Sequence, residues 1–555
     1  MSKMITEKDL LSLPLAHKVG QVCSPILQSS TIPADLEGIV RECGIAFVRY
    51  CPNAFYDNHS CVVGEPNPRL SPAENAALLN ALQTLSLEHG SGLPLFVGVD
   101  QEGGTRNDLN RNGALVFGSH MSFGAADDPN LTEEAAFLTG RQMRALGINL
   151  VQAPITDVFS HQGRRTLKAA SFGEDPQLVV RHALAMMRGY HRSGLAVMIK
   201  HFPGYGATAV DAHKGMAEVN KPLAELEAHD NLTIRALLQG GVDAVMSGHV
   251  IIESMDPQRV PASLSAPIIT GYLRGKLGFE GIVETDAMRM NAIRERYGLG
   301  EACIMAIAAG SDVLLLRGDQ DHFFEGYRAV YDAVKRGDLL ESLLDAAILR
   351  IHKLRQKSGL YANPHVNEQD AATPFHTPAS DECAQAVADR SVLVLRDADG
   401  QLPLRLAPSE TVGVIHPRPQ KLDGADDPVQ SVDMLIQAVR ERFPQARAYL
   451  TSLEPTPEDI EKARSLCAAC DTVIVGSINA INFKGQPELV QACLDSGKRV
   501  IVVAMESPYD LVDVYPEAKT CLCTLGASRA AMTSAVKIIT GELTPTAKLP
   551  VTLPL

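Results

Sequence analysis

The chain has 555 residues, 45% of them hydrophobic and 21% charged, and a formal net charge of -14. That length calls for two or three domains with ample core. The acidic balance gives no support to binding nucleic acid or an anionic membrane surface, since both need a basic face.

The N-terminus has neither a long apolar core nor a small-residue cleavage site, so no secretory signal is read there. No stretch approaches the roughly 18 to 20 apolar residues of a membrane span. The 11 cysteines show no framework spacing and fit reduced thiols. Cys467-Ala-Ala-Cys470 has no second pair at zinc spacing and reads as small buried residues on a helix. A soluble, cytoplasmic protein is expected, as monomer or homodimer, with no cofactor and no metal. Trp is absent, so any stacking platform for a ligand must come from Tyr, Phe, Met or His.

Along residues 8–360, short apolar runs alternate with helical patterns. The runs fall at 44–50, 94–100, 148–154, 195–200, 243–249, 281–286 and 312–317, and none alternates strictly, as expected of strands buried on both faces of a parallel sheet. Helical stretches at 73–89, 132–146 and 179–193 lie between them. This order predicts a (β/α)8-type barrel over 1–360, with the eighth strand either at 19–23 or distorted. A Pro-, Asn- and Thr-rich stretch reads as a linker, placed at 361–384. Apolar runs at 391–395, 411–415, 471–476, 499–504 and 521–525 then predict an open αβα sandwich over 385–555. It contains no G-x-G-x-x-G or Walker loop, so no nucleotide is assigned to it.

Several barrel strands end in polar residues, namely Asp100, Lys200-His201, His249 and Asp286, and such barrels collect their catalytic groups at the carboxyl ends of strands. After Lys200-His201 comes a loop with Pro203, Gly204 and Gly206 that closes on Asp211-Ala212-His213. A carboxylate one residue from an imidazole can orient the ring and raise its basicity. On its own an Asp-x-His is more often a surface loop than a site; its company at the barrel mouth makes the difference.

These motifs resemble glycoside hydrolase family 3, in its β-N-acetylglucosaminidase (β-hexosaminidase) branch. The resemblance rests on Asp100-Gln-Glu-Gly-Gly104, Gly147-Ile-Asn-Leu-Val-Gln-Ala-Pro154 with Asp157-Val158, and Ser171-Phe-Gly-Glu-Asp-Pro176. It continues through Lys200-His-Phe-Pro-Gly204 with Asp211-Ala-His213, Pro261-Ala-Ser-Leu-Ser265, Leu277-Gly-Phe-Glu-Gly-Ile-Val283 with Thr285-Asp-Ala-Met288, and the chain end at Ala547-Lys-Leu-Pro-Val-Thr-Leu-Pro554. It implies a retaining exo-β-glycosidase, a β-N-acetylhexosaminidase acting on a small glycoside or cell-wall-derived oligosaccharide. Retention needs a carboxylate nucleophile and an acid/base group. The resemblance puts the nucleophile at Asp286. His213 becomes the acid/base, its ordinary pKa of about 6.5 lying near working pH, and Asp211 holds its tautomer. Its loop, 204–215, is expected to close over the sugar. Asp100, Lys200, His201, His249 and Arg106 are the candidate sugar ligands, although His249 reads equally as a satisfied core histidine. Asp157 is expected to tie strand to loop.

The chain departs from the family pattern where Ala170 stands in place of an Arg before Ser-Phe-Gly, and where Thr105 and Asp108 follow Asp-Gln-Glu-Gly-Gly in place of Arg. An altered sugar pocket is expected: either a cation from Arg106, Arg164, Arg165 or Lys168 substitutes, or the enzyme is a β-glycosidase for a different or modified sugar. An uncharged imidazole repels an incoming anion less than a carboxylate does, so phosphorolysis on the same scaffold is the nearest alternative. A metal-dependent hydrolase using His201, Asp211, His213 and His249, and a silent sugar-binding protein, are the more distant ones.

Overall fold

The computed structural model describes residues 5–52, 70–104, 106–109, 113–210, 212, 215–418 and 433–554. Its first half is a closed parallel barrel. Seven strands run in the order Ile282–Thr285, Ala244–Ser247, Ala196–Phe202, Leu150–Val151, Phe96–Val99, Phe47–Tyr50 and Ile26–Leu27. The eighth, Leu314–Leu315, bridges the two ends. It pairs with Cys23–Ser24, while Glu284 bridges to Val313 beside it.

The first strand changes partner at Pro25. Cys23–Ser24 lies against Leu314–Leu315 and Ile26–Leu27 against Phe47–Tyr50; Pro25 has no N–H to give either ladder. This corrects the placement of a strand at 19–23, because Val19 belongs to the helix Leu15–Gln21. The strands Phe47–Tyr50, Phe96–Val99, Ala244–Ser247 and Ile282–Thr285 are buried at every position, which is why their sequences lack alternation.

The outer helices start where side chains satisfy free N–H groups. Ser71 and Glu74 form a capping box on Pro72–His89, Asp128 caps Pro129–Leu146, and Asp175 caps Pro176–Arg192. In each, Pro occupies the first turn, where no N–H is needed.

The second half holds a six-stranded sheet. Its order is Leu393–Asp397, Thr520–Cys523, Arg499–Ala504, Thr472–Ser477, Val412–Pro417 and Arg447–Thr451, with only the first strand antiparallel to its neighbour. Arg447–Thr451, an edge strand with a polar, half-exposed face, has too little apolar character to stand out in the sequence. Part of the stretch read as linker is helical. Thr377 caps Pro378–Ser391 with Pro in its first turn, so the Thr-Pro that suggests a linker is a helix start. That helix packs against both His120–Ala126 of the barrel and Arg529–Thr540 of the second unit.

The two halves meet near the barrel mouth. Both the backbone N–H and the hydroxyl of Ser119 donate to the Leu525 carbonyl, at 2.8 and 2.9 Å. Arg164 pairs with Asp513 at 2.9 Å and Phe159 stacks on Tyr509. The chain end folds back so that Thr552 donates to Glu174 at 2.8 Å. Among the described residues no helix is long and apolar enough to cross a membrane, and all ten described cysteines are buried free thiols.

Candidate active site

The barrel brings Asp100, Lys200, His201 and Asp286 to one end, each just at or beyond the carboxyl end of its strand. Asp100 follows Phe96–Val99, Lys200 and His201 close Ala196–Phe202, and Asp286 follows Ile282–Thr285. Lys200, 4% exposed, donates to Asp100 Oδ1 at 2.6 Å and also contacts Glu102. Burial works against its ammonium, yet Asp100 and Glu102 outweigh that and raise its pKa above the usual lysine value.

On the other side of Asp100 stands Arg49, whose guanidinium reaches Asp100 Oδ2 and Asp108 Oδ2, both at 2.5 Å. Burial pushes the Asp100 carboxyl up, but Arg49 and Lys200 outweigh it and hold Asp100 well below the ordinary range. Asp108 goes the other way, raised by burial and by the neighbouring Asp100 charge, which Arg49 only partly offsets. The Asp100 backbone N–H also donates to Asp108 at 2.6 Å. Sequence reasoning missed Arg49; the available signal was a lone charge in the apolar run Ile45-Ala-Phe-Val-Arg-Tyr50, since a buried charge must be paired.

The two glycines of Asp100-Gln-Glu-Gly-Gly104 have a steric basis. Gly103 and Gly104 both have positive φ, of 82° and 59°. A Cβ on Gly103 would sit 2.3 Å from the Gly118 carbonyl oxygen, so only glycine lets this turn pass.

His201 is fixed from behind by Asp157, which receives the Nδ1–H at 2.8 Å and the Tyr205 backbone N–H at 2.6 Å. That leaves Nε2 facing Asp286, 4.0 Å away. Burial disfavours the imidazolium, but the Asp157 and Asp286 carboxylates outweigh it, so the His201 pKa lies above its usual 6.5. Asp286 takes the Ala287 N–H on Oδ1 at 2.7 Å, while its own N–H donates to the Ser247 carbonyl at 2.9 Å.

His249 needs correcting as a sugar ligand. It is fully buried, with Nδ1 on the Ser263 hydroxyl at 2.7 Å and Nε2 on the Ala287 carbonyl at 3.1 Å. Both ring nitrogens are taken, so it supports the turn after Asp286. Arg106, half-buried, lies 3.8 Å from Glu102.

Asp211 and His213 lie outside the described residues. Between them, Ala212 is buried; its N–H donates to the Tyr205 hydroxyl at 2.5 Å and its carbonyl accepts from Ala292 at 3.2 Å. The first part of the loop is bolted down as well. Ser160 donates to the Gly206 carbonyl at 2.9 Å, and Thr166 to the Thr208 carbonyl at 3.1 Å.

Of the cations expected to substitute for the missing arginines, Arg164 is engaged with Asp513 and with the His161 carbonyl at 3.0 Å. Arg165 is exposed and Lys168 half-buried. The cation that stands against Asp108 is Arg49, from a different strand.

Under this mouth lies a second carboxyl that sequence reasoning missed. Glu284, on the strand leading to Asp286, is 1% exposed and takes a hydrogen bond from Gln152 Nε2 at 2.8 Å. Burial pushes its pKa up to about 8, so at neutral pH it is largely protonated. Among the described residues no group of His, Cys, Asp and Glu is arranged to hold a metal ion.

A closed parallel barrel with carboxylates, an imidazole and a lysine gathered at its carboxyl end, followed by an open α/β sheet, is the framework of a barrel enzyme with its site at the strand ends. Residues 65–354 match the family model described as "Glycosyl hydrolase family 3 N terminal domain". The chain is 27% identical over 540 residues to "Beta-hexosaminidase A" of Pseudoalteromonas piscicida, covering 87% of each chain. It is 36% identical over 240 residues to a "Beta-hexosaminidase" of Xylella fastidiosa (strain 9a5c), covering 42% of this chain and 69% of the relative. Its structure is similar to that of a glycoside hydrolase family 3 beta-N-acetylglucosaminidase from Paenibacillus sp. str. FPU-7, with a TM-score of 0.89, 28% identity, and 98% and 99% of the two chains covered. The protein belongs to glycosyl hydrolase family 3 and is a glycoside hydrolase.

Proposed function

We propose that the protein is a retaining exo-β-N-acetylhexosaminidase in which Asp286 attacks the anomeric carbon and the Asp211–His213 dyad is the acid/base. Asp286 displaces the aglycone to form a glycosyl-enzyme ester, while His213 gives its proton to the departing oxygen. Water, deprotonated by His213, then hydrolyses the ester with overall retention. The observation that carries the reading is the position of Asp286, whose carboxylate opens into the barrel mouth 4.0 Å from His201 Nε2. Ala212, which lies between Asp211 and His213 in sequence, accepts at its carbonyl from the Ala292 N–H, in the segment that follows Asp286. Asp100 and Lys200 bind hydroxyls of the terminal sugar, and His201 orients that sugar against Asp286. The hexosamine preference rests on the relatives named above.

The test is Asp286→Ala assayed on aryl β-N-acetylglucosaminides. Turnover is lost while folding is retained, and azide restores activity on substrates with good leaving groups, giving the inverted glycosyl azide. Retention of most of the wild-type activity would move the nucleophile elsewhere. The same assay run with and without inorganic phosphate, with sugar 1-phosphate as the product sought, separates hydrolysis from phosphorolysis.

A further inference from the structure

The segment that follows Asp286 lines a cavity of about 890 Å³ that the roles above do not use. Its wall is formed by two segments, the one that follows Asp286 and the one that follows the strand Leu314–Leu315. Ala287, the residue bonded to the Asp286 carboxylate, lines it. So do three arginines, Arg289, Arg294 and Arg317, with Tyr297 and His322.

The arginines act on one another. Burial first, and then the charges of Arg317 and Arg294, lower the pKa of Arg289. The pKa of His322 is likewise lowered by burial, and Arg289 and Arg294 push it the same way against Glu325 and Asp319. Guanidiniums that raise one another's energy in this way are relieved by an anion placed between them.

Three carboxylates share the lining, Asp319, Asp321 and Glu325, and all three are exposed. Asp319 is already committed, taking the His322 backbone N–H at 2.9 Å as the cap of the helix Gln320–Arg336. Among the described residues neither Arg289 nor Arg294 is in a salt bridge with them. The three acids come from the cap and first turns of that helix, a different segment from the one that carries Arg289 and Arg294.

We propose that this cavity receives an anionic substituent of the substrate, a carboxylate or a phosphate ester, gripped by Arg289, Arg294 and Arg317. The inference rests on the glycosidase reading and deepens it, because the enzyme then selects a charged glycoside over the plain sugar. Planar guanidiniums suit both oxyanions, since each can give two parallel N–H bonds.

The experiment uses the full chain and a matched set of sugars: N-acetylglucosamine, its 6-phosphate, its C6 uronic acid, and inorganic phosphate alone. Each is measured as a competitive inhibitor of 4-nitrophenyl β-N-acetylglucosaminide cleavage and, independently of turnover, by isothermal titration. At least one charged sugar binds about tenfold or more tighter than N-acetylglucosamine, the scale of one charge-assisted hydrogen bond. That ratio falls toward one in Arg289→Gln/Arg294→Gln, whose exposed side chains leave the fold intact, and it falls with added salt. Which of the two charged sugars gains identifies the oxyanion.

No advantage for either charged sugar overturns the inference, as does an advantage that survives the double substitution. Inorganic phosphate binding with no gain for the charged sugars overturns it too, because the anion is then not borne by the substrate. Absence of cleavage of both the neutral and the charged 4-nitrophenyl glycosides would count against the glycosidase reading alone, since the titration still decides the anion site.

Discussion

Glu284→Gln tests whether the barrel holds a neutral carboxyl beneath Asp286. The substitution keeps the size of the side chain and an oxygen to accept the Gln152 bond, but removes the ability to ionise. An ordinary glutamate has a pKa of 4.5, whereas burial puts Glu284 at about 8. Below 4.5 both the folded and the unfolded chain hold the proton, and Glu284 costs nothing. From 4.5 to 8 the unfolded chain releases a proton that the folded chain keeps, so stability falls as pH rises, and above 8 the loss levels off. At about 1.4 kcal/mol per pKa unit, the penalty is under about 1 kcal/mol at pH 5, about 3 at pH 7 and about 5 above pH 8. The amide carries no such penalty. Urea unfolding of both proteins at pH 5 and pH 7 should therefore show the gap moving in favour of Glu284→Gln by about 2 to 3 kcal/mol across that interval. A gap that stays constant would mean Glu284 ionises like an exposed carboxyl, and the neutral floor beneath Asp286 would not exist.

Lys200→Met removes the one ammonium shared by Asp100 and Glu102, leaving buried carboxylates without it. A loss of about 3 to 5 kcal/mol is expected by urea unfolding, and a loss under about 1 kcal/mol would show the contacts to be dispensable. Asp157→Asn takes away the stronger of the two carboxylates that raise the His201 pKa against burial. The charged ring's contribution to stability is complete below 6.5 and is lost as pH rises through its raised folded value. In the variant the His201 titration seen by NMR moves to lower pH; an unmoved titration refutes the assignment. Arg164→Ala breaks a partly exposed pair with Asp513, worth about 0 to 1 kcal/mol. It changes the preference among aryl glycosides less than twofold, and a tenfold change would place Arg164 on the sugar after all.

The barrel was legible because its strands are apolar on both faces and the helices Pro72–His89, Pro129–Leu146 and Pro176–Arg192 begin with Ser-Pro or Asp-Pro pairs, two signals that need no tertiary context. The strand around Pro25 was not, since its residues form two short ladders with different neighbours and neither is long enough to show a period. Asp100, Lys200, His201 and Asp286 could be found as polar groups ending apolar runs. His249 ends a run in the same way, and only the positions of Ser263 and Ala287 show that its ring is satisfied from within. Arg49 and Glu284 were hidden for the opposite reason, lying inside apolar runs where the eye assigns core. Their partners, Asp108 and Gln152, come from distant parts of the chain, and no spacing rule connects them.

The charge at position 108 shows how far a single departure can mislead when read alone. A carboxylate where the family pattern has Arg looks like the loss of a sugar-binding donor, as Ala170 does beside the cations of the loop at 159–169. In the folded chain Asp108 is buried and faces inward, with its carboxylate on Arg49 and on the Asp100 backbone N–H. Arg49 then spans Asp108 and Asp100, while Lys200 closes the other side of Asp100 against Glu102. Asp100 is thus held ionised by two cations that are themselves pinned by further carboxylates. A sugar hydroxyl that donates to Asp100 meets an acceptor whose charge and position are already set, so binding needs no reorganisation at that point. On the proposed role of Asp100, position 108 therefore acts one layer behind the sugar, holding the cation that in turn holds the acceptor.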